Sequence, residues 1–113
     1  MMRKLMHRVG LLVNMEQDLA SKTNGPRFHS LHEGYGVIME ELLEANLESE
    51  NVNDAANSLL GNIHRNNTRR LTGLLTEVAS HAKLAAAEYI QVAAMARKMS
   101  EGLPRVTHEG ETP

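Results

Sequence analysis

Residues 29–48 read HSLHEGYGVIMEELLEANLE, and this stretch decides the fold. Wound at about 100° per residue, Glu33, Glu40, Glu41, Glu44 and Glu48 fall within an arc of roughly 100°. Leu31, Tyr35, Ile38, Met39, Leu42, Leu43, Ala45 and Leu47 fill most of the remaining circumference. The spacing predicts one helix with a carboxylate face and an apolar face. From residue 28 to residue 64 there is no Lys or Arg, so no local cation answers these acids. Like charges at i,i+3 and i,i+4 (Glu41/Glu44, Glu40/Glu44, Glu44/Glu48) each cost a few tenths of a kcal/mol on an isolated helix. A bound divalent cation turns that cost into a binding site. A helix face left in water carries the same pattern without any ligand.

Working outward, Ser30 is the expected N-cap of this helix, with Glu33 as its capping-box partner. That gives Glu33 a structural role. The turn TNGPRFHS (23–30) separates the acidic helix from a first helix over residues 2–22, where Leu5, Val9, Leu12, Met15 and Leu19 recur at helical spacing. The acidic helix is expected to end near Glu48, broken by SENVN. Residues 54–63 read as a short helical piece weakened by Gly61, and HRNNTRR (64–70) as a polar, basic link. Thr68 is the expected cap of a last helix over residues 69–100. Its stripe runs Leu71, Leu74, Leu75, Val78, Ala82, Ala85, Tyr89, Val92, Ala96 and Met99, with a start or a bend at Gly73. The Ala-rich run LAAAEYIQVAAMA calls for close helix–helix approach, and Gly102 and Pro104 stop the helix. Residues 1–103 thus form a single helical domain and 104–113 a disordered tail. The fold class is all-α, a three- to four-helix bundle with the acidic and last helices as antiparallel neighbours. A long Ala-rich stripe on so short a chain calls for completion by oligomerisation.

Composition agrees with helices and narrows function. The 113 residues hold three aromatics, Phe28, Tyr35 and Tyr89, and few Val/Ile runs, which argues against a sheet. A formal net charge of -2 gives no reason to expect nucleic-acid binding. With no cysteine, disulfides, thiolate zinc sites and Cys nucleophiles are excluded. The apolar run GLLV near the N-terminus is too short for a signal peptide or membrane span, so a soluble cytoplasmic protein is expected. There is no phosphate loop, nucleophile elbow, H-E-x-x-H or dinucleotide fingerprint.

The last helix carries a second polar line. Glu77, His81, Leu84, Glu88 and Gln91 are spaced by four, three, four and three residues and stack on one face. Set against the acidic face, this line makes an oxygen-rich, sulfur-free cluster, which suits Mg²⁺ or Mn²⁺. An exposed polar face accounts for the line equally well.

FHSLHEGYGVIMEELLEA closely resembles the opening of the MazG-like nucleotide pyrophosphohydrolases, especially the small stand-alone members common in bacteria and phages. There a similar H-E-x-Y-x-V-I-x-E-E-x-x-E run carries the metal helix. EYIQVAAMARKM (88–99) resembles their second half, where an ExxD follows; MEQD (15–18) is only weakly similar to their first helix. The match covers 28–48 and 87–99, and the first block is the specific one.

The resemblance implies an all-α homodimer or homotetramer that hydrolyses a nucleoside triphosphate to monophosphate and pyrophosphate with Mg²⁺. It makes Glu41, Glu44 and Glu88 metal ligands, and Glu40 a further ligand or the holder of the attacking water. Lys83 and Arg97 are the last-helix cations expected at substrate phosphate. Two departures stand out. The family's last Asp falls at Gln91, an uncharged amide, and the interval from Glu44 to Glu88 is long, with residues 50–87 matching nothing in the pattern. Either that segment is an inserted helix, or the true second acidic pair is Glu77 with His81. A non-catalytic helical oligomer of the same fold is the alternative. A carboxylate-bridged di-metal bundle is disfavoured, because it wants Glu-x-x-His at i,i+3 and Glu77/His81 stand at i,i+4.

Overall fold

The computed structural model describes residues 1–103, so the expected disordered tail lies outside the described residues. Four helices follow in order: α1 (Met2–Asn24), α2 (Leu31–Asn57), α3 (Leu59–His64) and α4 (Thr68–Glu101). There is no strand among the described residues, and no helix is long and apolar enough to cross a membrane.

α4 is the axis. α2 packs along it antiparallel, so that Gly34 faces Met99 and Glu48 faces His81. α1 lies on another side of α4 in the same direction as α4: Val9 and Val13 sit by Ala86 and Ile90, and Ala20 and Asn24 by Met95 and Lys98. The α1 and α2 backbones do not approach one another. Small residues make the close seams. Ala45 and Ala94 are wholly buried, and Val13, Ala94 and Met95 form a core closed by Phe28, Val37, Ile38 and Ile90. Leu74 is the largest fully buried side chain, and its truncation to Ala should cost about 2–5 kcal/mol.

The cap of α2 follows the expected chemistry with one shift. Ser30 Oγ accepts from the Glu33 N–H at 3.0 Å, while Glu33 Oε1 reaches past Ser30 to accept from the His29 N–H at 2.6 Å. The end of α2 differs from the sequence expectation. The helix does not stop near Glu48 but runs on to Asn57. Residues 49–57 contain no Gly or Pro, Asn51 bonds back to Glu48 at 3.3 Å, and Ala55 is buried. Burial on the bundle outweighs the weak helix propensity of Ser and Asn. The cap of α4 is Asn67 rather than Thr68; its Oδ1 accepts from the Arg70 N–H at 3.1 Å. Asn66, in the left-handed region at φ 53°, makes the reversal before it, a conformation Asn tolerates. Gly73 neither starts nor breaks α4.

The fold leaves much apolar surface in water. Leu5, Met6, Met15 and Leu19 on α1, and Tyr35, Leu43 and Leu47 on α2, are all exposed.

Candidate metal centre

The five carboxylates of the acidic arc divide into separate jobs. Glu33 closes the N-terminal cap of α2 and is held below the usual carboxylate range by the His29 backbone and ring. Glu48 meets His81 of α4 at 2.7 Å, and this hydrogen bond, helped by Asn51, lowers its carboxyl. Glu41 and Glu44 face Glu88. One oxygen from each of these three lies within 4.8 Å of the others, a grouping that a metal ion can bridge.

Helix geometry explains the convergence. Glu41 and Glu44 are one turn apart on α2, and the wholly buried Ala45 beside them lets α4 come close enough for Glu88 to enter between them. No cation pairs with this cluster among the described residues. Burial, followed by the charges of Glu44, Glu88 and Glu40, pushes the Glu41 carboxyl up. Hydrogen bonding to Glu88, and then repulsion from it, pushes Glu44 up. Glu88 Oε2 is out of solvent and has no hydrogen-bond partner. Two raised carboxyls thus stand beside a buried carboxylate oxygen that has no hydrogen-bond partner.

The other expected site residues are placed differently. Glu40 is exposed beside the cluster, near enough for its charge to act on Glu41. Gln91 donates its side-chain amide to Glu16 of α1, a carboxylate to which the sequence reading assigned no role. Glu77 is exposed and outside the grouping, and His81 is spent on Glu48. Arg97 is held by Asn14 and by Glu101, the latter at 3.3 Å, while Lys83 is exposed and has no ion pair among the described residues. Glu16 was missed because nothing in the linear pattern shows that α1 and α4 meet at Gln91.

Comparison of the chain with protein-family models, curated proteins and solved structures finds no match in any of the three.

Proposed function

We propose that this protein is a Mg²⁺-dependent (or Mn²⁺-dependent) nucleoside triphosphate pyrophosphohydrolase of the MazG-like kind, working as a homo-oligomer. The observation that carries the reading is the meeting of Glu41, Glu44 and Glu88 around the unpartnered Glu88 Oε2. These are the carboxylates that the resemblance nominates, brought together from two helices. Oxygen donors without sulfur or imidazole fit a hard divalent cation. When bound, such an ion neutralises charge on the phosphates and lowers the pKa of a water. Glu41, Glu44 and Glu88 would hold it. Glu40, exposed beside them, would orient the attacking water and take up its proton as the bond between the α- and β-phosphates breaks and pyrophosphate leaves. The exposed apolar surface of α1 and α2 supports a partner copy.

One observation favours a second reading, a helical oligomer of the same fold without turnover. Gln91 is engaged by Glu16, so the cluster has three carboxylates where the family's pattern offers four. Purified protein with Mg²⁺ and a panel of canonical and modified nucleoside and deoxynucleoside triphosphates, assayed for pyrophosphate, separates the two. Release that Glu44→Gln abolishes supports the enzyme. No release from any member of the panel leaves the second reading.

A further inference from the structure

At the far end of the α2–α4 seam is a buried cation with no assigned partner. Lys98 follows the core residues Ala94 and Met95 by one helical turn, and it is 2% exposed. Gly34 lies beside it: a Cβ there would stand 2.9 Å from Met99 Sδ and 3.0 Å from the Phe28 ring, so these two side chains pack directly on the α2 backbone at this point. The Lys98 ammonium lies 4.4 Å from the Phe28 ring centroid. Such a contact offsets only part of the cost of taking an ammonium out of water. No side-chain hydrogen bond or ion pair reaches the Lys98 ammonium among the described residues. The nearest lining carboxylate, Glu33, is occupied by His29 through both oxygens.

Lys98 lines a cavity of about 210 Å³ together with Asn24, Arg27, His29 and Glu33. Two cations, Arg27 and Lys98, stand against one carboxylate. Arg27 has no ion pair among the described residues either. A second cavity of about 300 Å³ adjoins the first across Arg27, Phe28 and His29, and Ser30 and Leu31 bring the N-terminus of the 27-residue α2 to its wall. The positive end of that helix adds to the same field. The donors come from α4 and from the α1–α2 turn, and two cations set against one carboxylate favour a compact anion that carries more than one negative charge. The Lys98 cavity is smaller than the roughly 300–1,000 Å³ of ordinary ligand pockets, so it takes a compact group.

We propose that the Lys98 cavity is a phosphate-binding site, in which the Lys98 ammonium and Arg27 at the mouth hold a phosphate dianion, with the N-terminus of α2 at the wall of the adjoining cavity. At the helical rise Lys98 stands roughly 15 Å along α4 from Glu88, so this site is separate from the carboxylate cluster and does not depend on the metal reading. The phosphate is either a free anion or the phosphate of an ester whose organic part enters the adjoining cavity.

Calorimetric titration of the full-length protein in chelator, with inorganic phosphate or adenosine monophosphate replacing chloride at constant ionic strength, tests it. The expected result is saturable binding that falls about tenfold or more in Lys98→Met, while Glu44→Gln binds as the wild type does. Met fills a similar volume and removes a buried charge, so the variant should stay folded; should it not, Arg27→Gln at the exposed mouth must lose affinity severalfold. Equal affinity for the two probes identifies the free anion, and tighter binding of the monophosphate identifies the ester. No saturable binding of either probe, or equal binding by wild type and the informative variant, overturns the proposal.

Discussion

The side-chain amide of Gln91 on α4 donates to the carboxylate of Glu16 on α1, and this hydrogen bond ties the two helices together. The amide is a neutral donor facing an anion; an aspartate in its place would face that anion as a second one. Replacing a donor by a like charge both loses the bond and adds repulsion, a combination that costs about 1–3 kcal/mol when the group is half-buried.

Gln91→Asp is therefore expected to lower stability in denaturant unfolding. Adding Glu16→Gln should restore most of the loss, because the donor and acceptor have then exchanged sides. The same pair tests activity: if position 91 serves the metal, the double variant should bind Mg²⁺ more tightly than the wild type. A double variant as unstable as Gln91→Asp alone would show that the two residues are not coupled.

The carboxylate cluster should behave as a destabilising feature without metal. Glu41 and Glu44 have raised carboxyls, so the folded chain binds more protons than the unfolded one. Their contribution is then favourable at low pH and is lost as pH rises from the ordinary carboxylate value through the raised one. In chelator at pH 7, Glu44→Gln should melt higher than the wild type. With millimolar Mg²⁺ or Mn²⁺ the wild type should gain by linkage and Glu44→Gln should not. An equal metal-dependent gain in both would remove Glu44 from the site.

Glu33 and Glu48 have the opposite sign. Their carboxyls are lowered in the folded state, by the His29 backbone N–H and by His81 respectively. The stability they supply is present above the ordinary carboxylate pKa and disappears as pH falls through the lowered one. Glu48→Gln should lower stability at pH 6 and progressively less as the pH falls through the lowered carboxyl, as read from urea midpoints. A cost that does not shrink with acid would mean that the His81 contact is not the source.

Three glycines in helices should respond differently to alanine. A Cβ at Gly36 or Gly73 meets nothing within 4 Å, so Gly36→Ala and Gly73→Ala should stabilise by up to about 1 kcal/mol through helix propensity. At Gly34 the same gain is set against a 3.0 Å contact with the Phe28 ring, and overpacking costs typically about 1–3 kcal/mol. Gly34→Ala should be destabilising, and Gly34→Val more so. Thermal melts of the three Ala variants give the ranking directly.

Light scattering at micromolar concentration should give at least twice the 12.5 kDa chain mass. Leu43 and Leu47, exposed by 66% and 58%, together with Met15 and Leu19 on α1, are more apolar surface than a monomer of this size ordinarily leaves in water. A clean monomer would contradict this.

The linear pattern alone determined that the chain is helical, where α1 and α4 run, that Ser30 caps α2, and that Glu41 and Glu44 share a face. These are local properties: periodicity, turn residues and spacing act within one or two helical turns. It could not determine that α2 continues through SENVN to Asn57, because the burial of Ala55 that overrides propensity comes from the rest of the bundle. Nor could it divide the acidic arc. Whether a carboxylate caps a helix, pairs with an imidazole or joins a cluster depends on what the neighbouring helix presents at that level. Here α4, running antiparallel to α2, brings His81 to Glu48 and Glu88 to Glu41 and Glu44. Gln91 and Lys98 were decided in the same way. Gln91 found Glu16 because α1 lies along α4, and Lys98 was submerged because Phe28, from the turn before α2, lies against its ammonium and packs on Gly34.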